Sequence, residues 1–243
     1  MDKLSKEQAV NWWIYHSFLH FVAGKALEEI DDVSPINSHF EPYFCYMGIE
    51  LLCKAFIIAE NSASFSSLEF EKAKTKIDEI AKDISHKIEK VIKKIGIDNP
   101  NCDIPSILKT KYDNLSGEEA LTCLEAAYIE TRYPVPIGIH KKFPLTINIY
   151  HDPLNCSAII DFSYALGRAL LFLIKEKHHI FFDETIMGNS VLSSGQWRRF
   201  VNLFFVSKSS DYFKSDVQRQ YIEKPIKHPR YKSGDVIKIS RKP

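Results

Sequence analysis

Residues 42–59 read Pro-Tyr-Phe-Cys-Tyr-Met-Gly-Ile-Glu-Leu-Leu-Cys-Lys-Ala-Phe-Ile-Ile-Ala. At helical spacing, Phe44, Gly48, Leu51, Ala55 and Ile58 form one apolar stripe, and Ile49, Leu52 and Phe56 lie beside it. The only charges are Glu50 and Lys54, one turn apart with the acid first, the favourable order for an i,i+4 pair. A helix that is apolar on nearly every side belongs at the centre of a bundle.

The flanking segments supply the rest of such a bundle. Ala9, Trp12, Trp13, His16, Leu19, Ala23, Leu27 and Ile30 recur at three and four residues, one stripe of a long helix ended by Asp31-Asp32 and Ser34-Pro35. Ala73, Ile77, Ile80, Ile84, Ile88, Val91 and Ile95 keep the same rhythm, either on one helix or on two that meet near Asp83-Ile84-Ser85-His86. Ser116-Gly-Glu-Glu119 is a capping box that opens a helix through Leu121, Leu124 and Tyr128 to Arg132-Tyr-Pro134. Ala158 to Leu173 form a last helix, closed by Lys175-Glu-Lys-His-His179. Residues 145–150 alternate as a short strand or extended crossing, residues 197–206 suit a short amphipathic helix, and residues 232–239 a turn and strand. The expected fold is all-α, an antiparallel four- to five-helix bundle over residues 1–179, with a small irregular or β-containing basic extension over 180–243.

At 243 residues with 45% apolar and 26% charged side chains, the chain has the composition of an ordinary globular protein and enough length for a core. The net charge of +1 points to no polyanionic partner, but its distribution is uneven. Residues 207–243 carry ten Lys/Arg against four Asp/Glu, a local +6 that leaves −5 for the rest. Five cysteines without a C-x-x-C pair suit reduced, mostly buried thiols. No uncharged run approaches the ~20 residues of a membrane span, and the first residues lack a signal peptide's apolar core. The expectation is a cytoplasmic protein with no membrane partner.

Three stretches resemble the HEPN superfamily of helical-bundle domains. Tyr46-Met-Gly-Ile-Glu-Leu-Leu-Cys-Lys-Ala-Phe56 is similar to that family's A-x-E-L-L-L-K-A-h-L helix. Ser85-His-Lys-Ile-Glu-Lys-Val-Ile92 is similar to its G/S-H-x-L-x-x-L segment, and Tyr128-Ile-Glu-Thr-Arg-Tyr-Pro134 to its R-Y-P helix end. They come in the family's order, and the resemblance covers roughly residues 5–176. It implies a bundle that often dimerises, here a homodimer, with roles in RNA cleavage, nucleotide binding, defence or toxin–antitoxin systems. The family's ribonucleases use R-x(4–6)-H. Arg132 and His140 are separated by seven residues, two of them prolines, and Arg168 meets no histidine before His178.

Metal-independent RNA cleavage needs a base, an acid and a cation for the phosphorane, which Arg132 with His140 or His151 would supply. The structural alternative has Arg132 satisfying terminal carbonyls. Glu50 and Lys54 form either a polar pocket for phosphate or nucleotide, or a buried ion pair joined by Arg132 or His86. His86, a candidate for the same nucleotide or RNA site, either bonds the Glu50 stripe from a helix N-terminus or is simply exposed, and the family resemblance implies a packing role. Asp161, Tyr164 and Arg168 share a face that suits an interhelical network. In the tail, Arg219, Lys227, Arg230 and Lys232 mix with Tyr212, Phe213, Tyr221 and Tyr231, either cations for phosphates beside rings for bases or a solvated C-terminus that is simply basic. His16 with His20, and His178-His179 near Asp183-Glu184, have ligand spacing but no H-E-x-x-H or cysteine pair, so no metal is expected. There is no P-loop, G-x-G-x-x-G or G-x-S-x-G, and no cofactor is expected. The leading expectation is RNA or nucleotide binding. The alternatives are an endoribonuclease and a protein-interaction module.

Overall fold

The computed structural model describes residues 3–28, 37–84, 87–132 and 153–181. They are mostly helical: α1 Lys6–Glu28, α2 Asn37–Glu60, α3 Phe70–Lys82, α4 Ile88–Asp98, α5 Ile104–Lys109, α6 Gly117–Arg132 and α7 Pro153–His178. The one sheet among the described residues is a hairpin of β1 Lys111–Tyr112 and β2 Leu115–Ser116, antiparallel, with Lys111 opposite Ser116. Asp113 takes a left-handed φ of 45° at its turn.

The central helix is where residues 42–59 put it. α2 packs against α1, α3, α4, α6 and α7, and of residues 41–60 only Glu60 is exposed. The helix also starts five residues earlier than its apolar run, so Pro42 lies inside it. α2 and α7 are long and apolar enough to cross a membrane by length and composition, and most of each such span is buried within the protein.

Local chemistry sets the helix ends. At α1, the Gln8 N–H donates to Ser5 Oγ at 3.0 Å and the Ser5 N–H donates to Gln8 Oε1 at 3.0 Å, a reciprocal capping box. At α6, the Ser116 N–H donates to Glu119 Oε2 at 2.8 Å and the Glu119 N–H to Ser116 Oγ at 3.3 Å. The Ser116 N–H and then the Ser116 hydroxyl, both donating to that carboxylate, hold the Glu119 carboxyl below its usual range. α7 closes on His179, left-handed at φ 56°, whose N–H donates to the Lys175 carbonyl at 2.9 Å.

The isoleucine run of residues 73–95 is two helices, broken over residues 83–87. Between α4 and α6 lie α5 and the hairpin, neither expected from the sequence.

Against α2, α1 does not present the stripe read from sequence. Its buried side chains are Ala9, Val10, Ile14, Tyr15, Phe18, Phe21 and Val22, with Asn11 and Ser17 among them; of the sequence-read stripe Ala9 is buried and Trp13 and Leu19 pack partly against the core, whereas Trp12 is 54% exposed. The two buried polar groups are satisfied across the packing: Ser17 Oγ donates to the Gly48 carbonyl at 2.7 Å, and Asn11 Nδ2 to the Phe181 carbonyl at 3.2 Å. Gly48 is where the helices touch, since a Cβ there would come within 2.6 Å of the Phe21 ring.

Candidate functional site

Glu50 and Lys54 are the two sequence-read site residues whose side chains are described. Lys54 Nζ donates to Glu50 Oε1 at 2.5 Å, and their side chains are only 14% and 4% exposed. Lys54 Nζ also lies 5.5 Å from the Trp13 ring centroid, a cation–π contact with α1. One turn earlier, Tyr46 stacks on Tyr128 of α6 at 4.3 Å, and Tyr43 also stacks on Tyr128 at 5.8 Å. Burial, and then the carboxylates of Glu50 and Glu125, push the Tyr46 hydroxyl far above its ordinary value. Glu125 accepts the Glu89 main-chain N–H of α4 at 3.1 Å, while burial raises its carboxyl. This polar centre ties α2 to α1, α4 and α6. The pair itself holds the charge that Lys54 would offer a phosphate, which is the buried ion-pair alternative.

The remaining sequence candidates lie outside the described residues: the Arg132 side chain, His86, His140, His151, Arg219, Lys227, Arg230 and Lys232. Arg132 is the last residue of α6. The strand expected over 145–150 and the elements expected over 197–206 and 232–239 are outside as well.

A surface that the sequence did not single out also includes Trp13. Between α1 and α3 runs a groove of about 440 Å³ lined by Leu4, Ala9, Trp12, Trp13, Phe70 and Ile77. Trp12 is 54% and Phe70 45% exposed, two large rings held in water by the helices that carry them. Lys74 and Asp78, both exposed, stand on its α3 rim with no ion-pair partner among the described residues.

Comparison of the chain with protein-family models, curated proteins and solved structures returns no match. The site therefore has to be read from its own geometry.

Three further clusters complete the charged surface. On α4, Lys87, Lys90, Lys93 and Lys94 line an open trough with Glu89, Asp98 and Glu125. Lys93 pairs with Glu89 at 2.7 Å and Lys94 with Asp98 at 3.0 Å. At one end of the bundle, His178 Nε2 and Lys177 Nζ each lie 2.9 Å from Glu60 Oε1, Lys6 Nζ sits 3.5 Å from His178 Nδ1, and Lys177 Nζ donates to Asn99 Oδ1 at 3.1 Å. Burial, and then the Lys6 charge, push the His178 imidazole below its ordinary value. On α7, Tyr164 is buried with its hydroxyl raised by burial and then by Cys45 and Glu41 of α2, while Arg168 and Asp161 act on Tyr112 of the hairpin.

The histidine spacings resolve differently from a ligand set. His20 Nδ1 bonds the His16 carbonyl at 2.8 Å, and the His16 ring packs on Trp12 at 4.7 Å with its imidazole lowered by burial and by His20. The five thiols are free, and four are buried. Burial pushes Cys123 up to about 11, so it stays protonated near neutrality.

Proposed function

We propose that this chain is a HEPN-like, four- to five-helix bundle acting as a binding module, and that its working surface is the α1/α3 groove. The observation that carries the reading is the pair of exposed rings, Trp12 and Phe70, facing one apolar channel. Tryptophans that a partner removes from water are among the residue types that dominate protein–protein affinity. Two helices forming the walls accept a third amphipathic helix, with apolar anchors on the floor and polar groups meeting Lys74 and Asp78 at the rim. The partner class is thus an amphipathic segment of a protein.

The test is an anisotropy titration of full-length protein with a fluorescein-labelled amphipathic helical peptide built on leucines at three- and four-residue spacing. Trp12→Ser with Phe70→Ser is expected to weaken the probe at least tenfold, about 1.4 kcal/mol. An unchanged affinity contradicts the reading.

RNA or nucleotide binding is the second reading, favoured by Lys87 and Lys90, which have no ion-pair partner among the described residues, and by the basic composition of 207–243. An RNA gel shift in EDTA tests it. Affinity that falls steeply with salt supports phosphate contacts, and salt-independent or absent shifting counts against them. Cutting that Arg132→Ala and His140→Ala remove would instead support the endoribonuclease alternative.

A further inference from the structure

At one end of the bundle α1, α2 and α7 meet on an imidazole. The His178 side chain is 9% exposed, with its ring edge-on to Phe56 at 5.7 Å. Its Nδ1 faces Lys6 Nζ of α1 at 3.5 Å, and its Nε2 lies 2.9 Å from Glu60 Oε1 of α2. The same carboxylate oxygen holds Lys177 Nζ at 2.9 Å. The end of α4 adds only Asn99, uncharged and bonded to Lys177. Among the described residues, the charged groups facing His178 are thus Lys6 of α1, Glu60 of α2 and Lys177 of its own helix.

A lysine can only donate, so the neutral ring turns its lone pair at Nδ1 toward Lys6 and carries its proton on Nε2. In that state two ammoniums share one carboxylate. A second ring proton takes the lone pair that faces Lys6 and sets two positive charges in contact. Glu60 touches His178 and Lys177 directly, whereas Lys6 reaches the cluster through the imidazole and has no carboxylate partner among the described residues. Lys6 is the cation that leaves.

Lys6 begins α1, and the same turn builds part of the α1/α3 groove. Leu4 and Gln8, two positions to either side, line the groove, and the Ser5–Gln8 capping box ties them into one turn. Further along α1, Asn11 Nδ2 donates to the Phe181 carbonyl, a second tie to the chain just past α7 that carries no charge. Loss of the Lys6 contact therefore loosens residues 3–10 and stops at Asn11.

We propose that protonation of His178 displaces Lys6, frees the first turn of α1 and so weakens the α1/α3 groove for its partner. This rests on the groove being a binding surface.

The experiment is hydrogen exchange by mass spectrometry on the full-length protein at pH 7.5 and 5.0, with residues 3–10 read as protection factors so that the intrinsic pH dependence of exchange cancels. Anisotropy with a leucine-based helical probe free of histidine and carboxylates is run beside it. His178→Gln keeps a donor and an acceptor but gains no proton, and Lys6→Met removes the displaced charge, so one variant reports if the other perturbs folding. In the wild type, protection of residues 3–10 and probe affinity are each expected to fall about threefold or more at pH 5.0, and in neither variant. Protection that is unchanged or higher at pH 5.0 overturns the proposal. A fall that persists in both variants belongs to another group, His16 against Trp12 being the nearest to the groove, and overturns it as well. Protection that falls while affinity holds, with Trp12→Ser still weakening the probe, overturns the coupling and leaves the groove standing. A probe that ignores Trp12→Ser at pH 7.5 overturns the groove reading itself.

Discussion

The Glu50–Lys54 centre and the Trp12–Phe70 groove both meet Trp13 and invert what their residue types suggest. The charged pair, which reads as chemistry, is buried; the aromatic pair, which reads as core, stands in water. Burial removes a charge from useful contact unless a ligand can reach it, because a paired buried ion offers nothing further to an anion. Exposure does the reverse for a ring, leaving apolar area whose removal from water can stabilise a complex. The difference teaches that in this chain residue type is a poorer guide to function than the side of the helix on which a residue falls.

The sharpest way to break this comparison is at the true core face. Phe18 is fully buried on the α1 face that packs on α2, one turn and a half from Trp12. Phe18→Ala is expected to cost about 3–5 kcal/mol in urea unfolding, through lost burial and the cavity left behind. A cost under about 1 kcal/mol would mean that the two faces of α1 have been assigned the wrong way round.

Next in size is the ion pair. Lys54→Met leaves the Glu50 carboxylate buried without its cation and is expected to cost roughly 2–3 kcal/mol. Adding Glu50→Gln in the same chain is expected to restore much of that loss, because the uncompensated charge is gone. A double variant no better than Lys54→Met would show that Glu50 answers to other groups.

The smallest effect is the pH dependence. The folded-state pKa of His178 lies below its unfolded value, so as pH falls through the window below 6.5 the unfolded chain binds the proton first. Stability is therefore held above that window and lost as pH falls through it, and His16, also lowered, adds in the same direction. Unfolding midpoints at pH 7.5 and 5.5 check this, and His178→Gln is expected to flatten the difference. A midpoint that rises on acidification would contradict the neutral, Lys6-facing imidazole.

Much of this architecture is legible in the sequence. α2 is so uniformly apolar that no rotation of it exposes a stripe, and the Ser116/Glu119 box opens α6 because two reciprocal bonds satisfy otherwise orphaned N–H groups. α1 is harder, because apolar residues occupy both of its faces. Its heavier stripe, with Trp12 and Trp13, is the half-exposed one, and its packed face includes Asn11 and Ser17, whose polarity is hidden by bonds to distant backbone. α5 and the hairpin are too short to show a period. The groove has a signal in hindsight: Phe70 opens α3 amid charged residues, in line with Ala73 and Ile77 but at the end of their face, where it stays exposed.

One paired measurement tests the central claim most directly: urea midpoint and probe-peptide affinity, determined side by side for Trp12→Ser and Lys54→Met. The account predicts that Trp12→Ser loses affinity several-fold with its stability within about 0.5 kcal/mol of wild type, as for a surface substitution. It predicts that Lys54→Met loses stability first. A stable Lys54→Met that abolishes binding, beside a Trp12→Ser that binds like wild type, would contradict it and return the function to the buried pair.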